Sequence, residues 1–128
     1  MPHMAKRPGI LGDQELQIMK IVWERGSVTV RDVYQSMLER RQVAYTTVMT
    51  MMNILEQKGY LKRSAGVDRA FIYEPAQARK TVIRGMVREF LERVFNGSAD
   101  PLMAHLIEDK HISKKDLDEL RKQLGKKS

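Results

Sequence analysis

Apolar positions along the chain recur in two rhythms, and the points where the rhythm changes mark its elements. From Asp13 to Glu24, Leu16, Met19, Val22 and Trp23 return every three or four residues, the spacing of one helix face. Gly26 supplies the stop. Val28, Thr29 and Val30 alternate briefly as a very short strand, and Thr29 is a good N-cap for a second helix. That helix is predicted to run to Arg40, with Val33, Tyr34, Met37 and Leu38 inward. A third spans Tyr45 to Lys58 and is stopped by Gly59. The period then falls to two. Tyr60–Ser64 and Ala70–Glu74 read as strands joined by a turn holding Gly66 and Asp68, and Pro75 ends the second.

Beyond Pro75 the pattern is helical only. A long helix is predicted from Ala76 to Phe95, with Asn96 and Gly97 as its end signal. Asp100 reads as an N-cap with Pro101 in the first helical position, opening a helix through Leu102, Leu106 and Ile107. The last helix starts at Ser113, where Asp116 completes a capping-box pattern and Leu117, Leu120 and Leu124 form the apolar stripe. The predicted fold is mostly α with a small β-hairpin wing: a winged helix-turn-helix head and then a C-terminal helical dimerisation region. Residues 1–9 read as a disordered arm, 10–75 as the head and 76–128 as the dimerisation region.

Charge narrows the partner. The 128 residues carry 23 Lys and Arg against 16 Asp and Glu, a formal charge of +7. A basic surplus suits a polyanion, because each neutralised phosphate releases condensed counterions. With no Cys there are no disulfides or thiolate metal sites, as expected of a reducing compartment. No apolar run approaches the roughly 18 residues of a membrane span. Met1-Pro2-His3-Met4 lacks the apolar core of a signal peptide, so a cytoplasmic location without membrane insertion is expected.

The third helix has the composition of a reading element. At 100° per residue, Val48, Met51, Met52 and Leu55 share one sector, and Thr46, Met49, Thr50 and Asn53 share the opposite one. No residue from Ala44 to Leu55 is charged, whereas Arg40 and Arg41 precede the helix and Lys58, Lys62 and Arg63 come after it. An ordinary solvated face carries more Glu and Lys. Short uncharged side chains let a helix enter a major groove while flanking cations hold phosphates. Thr bonds base edges or packs on a thymine methyl, and Asn bonds adenine in bidentate fashion. Arg69 beside the wing turn, with Lys62 and Arg63 opposite, makes the hairpin tip basic.

Other classes find less support. The histidines are His3, His105 and His111; the last two stand six apart, off the spacing of a shared helix face. No phosphate-cradling glycine loop, nucleophile elbow or paired acid–base motif is present, so neither catalysis nor a cofactor nor a small-molecule substrate is expected. A protein-interaction module is the rival reading, since winged-helix heads also pair with proteins. It predicts an acidic or apolar wing and no cationic flanks around the third helix.

On the long helix, Val82, Ile83, Met86, Val87, Phe90, Leu91, Val94 and Phe95 cover about 220° of the circumference. A stripe of about 100° serves a helix lying on one surface. The excess, with Leu102, Leu106, Leu117 and Leu120 on the later helices, predicts pairing with a second copy about a two-fold axis.

The run Val43-Ala44-Tyr45-Thr46-Thr47-Val48-Met49-Thr50, with Leu55-Glu56-Gln57-Lys58-Gly59-Tyr60-Leu61 after it, resembles the penicillinase-repressor (BlaI/MecI) family. Leu11–Leu16 with Ile21-Val22-Trp23 is similar to that family's first helix, Arg69–Pro75 to its wing-closing strand, and Phe95-Asn96-Gly97-Ser98 to its break between dimer helices. The resemblance covers residues 10 to 124. It implies a homodimeric repressor on inverted-repeat operators of resistance genes, with Thr46, Thr47 and Thr50 at base or backbone contacts and Tyr45 and Asn53 on the same helix. Met49 stands where some relatives carry Arg. Derepression in the family results from cleavage in the dimer helices, set off by a membrane-bound metalloprotease sensor. The Asn-Phe bond cut in staphylococcal members aligns with His105-Leu106, a departure from their pattern. The related copper-responsive repressors carry a Cys-rich tail, which this sequence lacks.

Overall fold

A computed structural model describes residues 11–125. The expectation for the arm at 1–9, and those for the side chains of Leu120 and Leu124, lie outside the described residues. Helix α1 (Asp13–Arg25) begins where the Glu15 carboxylate accepts the Gly12 N–H at 3.0 Å. It ends at Gly26, whose φ of 87° suits glycine. Helix α2 (Val30–Leu38) is capped reciprocally: the Asp32 N–H donates to Thr29 Oγ1 at 3.1 Å, and the Thr29 N–H to Asp32 Oδ2 at 3.0 Å. Helix α3 (Tyr45–Gln57) closes in a Schellman arrangement around Gly59, with the Tyr60 N–H on the Leu55 carbonyl and the Gly59 N–H on that of Glu56.

Strands β1 (Leu61–Ala65) and β2 (Phe71–Pro75) pair antiparallel, Leu61 opposite Pro75 and Ala65 opposite Phe71. Both start one residue later than the sequence predicts. Between them the chain makes a short 3₁₀ turn in which Asp68 and Arg69 both take positive φ. At Gly66 a Cβ would lie 2.7 Å from Ile72 Cγ1 and 2.9 Å from the Ala70 oxygen, so only glycine fits. Val28 extends the sheet by one bridge, exchanging both backbone hydrogen bonds with Tyr73 at 2.7 and 3.0 Å.

The core lies between these elements. Ile18, Met19, Val22, Val28, Val33, Val48, Met52 and Leu55 are all 1 % exposed or less. Two expectations change. Ile18 takes the central place on α1, leaving Leu16 and Trp23 half-buried. Leu38, expected inward, is 43 % exposed because α2 ends at it, two residues short of Arg40.

The Trp23 indole N–H donates to the Gln77 carbonyl at 3.0 Å, and the Gln77 amide to the Gly59 carbonyl at 3.0 Å. Residues beyond β2 therefore return onto the head. The chain divides into two compact units, one up to Ile83 and one from Arg84, so the division falls inside helix α4 (Arg79–Phe95) and not at Pro75. Val82, expected on the dimer surface, is 5 % exposed in the single chain and leaves that set.

Helix α4 starts three residues later than expected, at Arg79 in the first unit, and ends in the second at Asn96 and Gly97, both at positive φ. In helix α5 (Ala99–Glu108) the N-cap position falls on Ser98, not Asp100, and its side chain makes no capping hydrogen bond. Pro101 then falls in the first turn, where a missing N–H forfeits no intrahelical bond. Helix α6 (Lys114–Gly125) is capped by the Ser113 hydroxyl, which accepts the Asp116 N–H at 3.0 Å. The Phe95 ring lies 5.9 Å from both Phe90 and the His105 imidazole.

Tyr73 joins three parts of the head. Its backbone holds Val28, and its hydroxyl donates to Asn53 Oδ1 on α3 at 3.1 Å. Tyr73→Phe leaves the ring in place and strands a part-buried acceptor, at an expected cost of about 1 kcal/mol. Urea unfolding reads it as a lower midpoint with unchanged slope. An unchanged midpoint would mean that this bond contributes nothing to the head's stability.

Candidate nucleic-acid interface

The outward face of α3 is accessible as the sequence predicts. Thr46, Thr47 and Thr50 are exposed, with Tyr45 at 42 % and Met49 at 39 %. The Tyr45 ring meets the edge of Tyr34 on α2 at 5.4 Å, which braces the start of α3 against the preceding helix. Ala44, the N-cap, offers no side-chain acceptor, and the Thr47 N–H instead donates to the Ala44 carbonyl at 3.1 Å.

Asn53 departs from its expected role. Its amide oxygen is taken by the Tyr73 hydroxyl, and the residue is half-buried. Bidentate bonding to adenine needs that oxygen together with the amide N–H. Asn53 is therefore a structural link between α3 and β2.

The wing sorts its cations by face. Side chains alternate along a strand, so Arg63 shares a face with Tyr73 and Phe71, its directly opposite and diagonal neighbours. Lys62 points the other way, opposite Glu74. A groove of about 470 Å³ runs between the start of α2, the outer side of α3 and the wing. Arg31, Arg63 and Arg69 line it over a floor that includes Tyr45, Met49 and Phe71, and among the described residues no carboxylate lines it. The Arg63 guanidinium lies over the Phe71 ring, 4.3 Å from its centroid.

The other flanking cations are placed elsewhere. Lys62, expected at the interface, does not line this groove. Arg40 lines a separate groove against α1, beside Glu24 and Glu39. Arg41 is held by Gln14, whose amide oxygen, in the orientation that satisfies both groups, accepts from its two terminal nitrogens at 2.9 and 3.1 Å. The Lys58 ammonium lies 3.1 Å from Glu15, which offsets its charge. Arg31 is a groove residue that the sequence pattern does not single out. Its one signal is position, two residues after the Thr29 cap and on the helix that precedes the reading element. Among the described residues no helix is long and apolar enough to cross a membrane.

Comparison with known proteins agrees with this geometry. The profile of the penicillinase repressor family matches residues 11–126. The penicillinase repressor of Bacillus licheniformis is 28 % identical over 91 % of this chain and 90 % of its own. The transcriptional regulator BlaI of Mycobacterium tuberculosis is 32 % identical over 90 % of this chain and 83 % of its own. A solution structure of the DNA-binding domain of the repressor BlaI superposes with a TM-score of 0.50 at 29 % identity, covering 56 % of this chain and 85 % of that domain. The Bacillus licheniformis BlaI monomer bound to the blaP half-operator gives 0.50 at 26 % identity, covering 58 % of this chain and 89 % of that one. With its helix order, its hairpin wing and a match over nearly all its length, this chain belongs to the penicillinase repressor family, whose members are transcriptional repressors and not enzymes.

Proposed function

We propose that the chain is a homodimeric, sequence-specific repressor of inverted-repeat operators, acting on an operon of the β-lactamase or antibiotic-resistance type or one encoding a sensor protease. The observation that carries the DNA reading is the uncharged, exposed face of α3 beside a groove lined by three arginines and, among the described residues, no carboxylate. Thr46, Thr47, Met49 and Thr50 meet base edges or the adjacent backbone. Arg63 and Arg69 meet phosphates.

Pairing is supported by apolar surface. Val87, Phe90 and Val94 lie on one stripe of α4 and are 47, 39 and 50 % exposed in the single chain. A second copy covers such a stripe at no cost in buried polar groups, and a two-fold axis presents two α3 helices to two half-sites. The relative solved with a half-operator binds it as a monomer, which fits one copy per half-site.

Relief of repression is assigned to proteolysis near His105 and Leu106 by a membrane-bound metalloprotease sensor. His105 is exposed and Leu106 half-buried, both within α5. A protease takes extended chain, so the cut requires local unwinding of that helix. A cleaved fragment ending at His105 after induction is the expected product, read by intact-mass measurement. A repressor that stays whole while its genes are induced would exclude this route.

Thr50→Ala and Thr46→Ala should each lower operator affinity by about 1–3 kcal/mol per lost base contact while leaving random duplex unchanged. Equal losses on both DNAs, measured by fluorescence anisotropy, would exclude base reading by α3. Phe90→Asp should convert a dimer into a monomer in sedimentation and abolish tight binding to the full operator. A wild-type chain that sediments as a monomer at micromolar concentration contradicts the paired architecture.

A further inference from the structure

We propose that Arg31 and Phe71 are functional residues beyond those legible in the sequence, acting where the groove between α3 and the wing would take one sugar–phosphate strand of duplex DNA. The inference rests on the DNA-binding reading of α3 and specifies how that site holds the backbone. Arg31 holds a phosphate from the α2 side. Phe71 is a positioning residue: it acts through Arg63 on the wing side.

Phe71 is 48 % exposed on the wing, beside the groove. The Arg63 guanidinium covers it at 4.3 Å from the centroid. Stacking occupies the flat face of a guanidinium and leaves its in-plane N–H donors available, and those donors match a phosphate. An exposed arginine otherwise spreads over many rotamers, whose entropy is lost on binding. The ring restricts that freedom before DNA arrives.

Arg31 lies across the groove on α2, and Arg69 on the wing at a φ of 66°. The groove thus has guanidinium groups on both rims and an apolar floor of Tyr45, Met49 and Phe71. That arrangement matches a sugar–phosphate strand, which presents anionic oxygens outward and deoxyribose carbons between them. Lys62, on the opposite hairpin face, provides the internal control.

The test is a salt titration of the full-length chain on operator and random duplexes. Arg31→Ala and Arg63→Ala should each make the slope of log affinity against log salt shallower by about 0.9 on both DNAs, one phosphate apiece. Lys62→Ala should leave it unchanged. Phe71→Ala should lower affinity on both DNAs and Phe71→Trp restore it, while Phe71→Leu, apolar but without the π face, should not. Thermal midpoints for all variants separate loss of contact from loss of fold, and the exposed Arg31 keeps the test valid if Phe71→Ala unfolds. Wild-type slopes in Arg31→Ala and Arg63→Ala, with operator preference intact, would overturn the strand seat and leave the repressor reading standing. A wild-type chain without duplex affinity would instead overturn the repressor reading. Displacement of DNA by benzoate, alongside unchanged slopes in the arginine variants, would assign the groove to a small anion and also overturn the proposal.

Discussion

Tyr73 sits where the head's three working parts meet. Its backbone amide and carbonyl are both committed to Val28, just before the Thr29 cap that starts α2. Its ring is buried, and its hydroxyl reaches Asn53 on α3. One residue therefore sets the wing strand, the entry to α2 and the exposed helix in one frame. A two-stranded hairpin alone is marginal in water, so the wing depends on such attachments. This junction, together with the packing of α3 against β1, holds α3 beside the wing.

The charge pattern of the head is organised by what surrounds the exposed helix. Its outward face is uncharged, and the positive charge stands at the rim of the adjoining groove, on Arg31, Arg63 and Arg69. Several basic residues that look equivalent in sequence are used differently in space. Lys58 is offset by Glu15, Lys62 stands opposite Glu74, and Arg40 lies among carboxylates of Glu24 and Glu39. What remains beside α3 is a set of arginines, whose planar donors suit phosphate better than a lysine point charge.

The second unit is held by helix stops and a small aromatic cluster. Asn96 and Gly97 at positive φ turn the chain from α4 into α5, and Phe95 then meets both Phe90 and His105. Val87, Phe90 and Val94 leave an apolar stripe exposed on α4, with charged Arg88 and Glu92 exposed on the same helix. The proposed pairing uses that surface.

Local physics was legible in the sequence. Helix periods, the Thr29 cap, the glycine stops and the alternation of the hairpin predicted every element to within a few residues, because each depends on neighbours in the chain. The order of those elements was enough to indicate a winged-helix head, and the exposed threonines of α3 were implied by its helical period. Tertiary structure decided the rest. Whether Asn53 reads a base or anchors a strand depends on Tyr73, twenty residues away. Whether Lys62 and Arg63 act together depends on strand pleat and register, which place neighbours on opposite faces. Ile18, Val82 and Arg31 took roles that no local pattern marked, since burial and groove lining arise from segments distant in sequence. A chain's own periodicity specifies which residues can share a face; only packing specifies what that face meets.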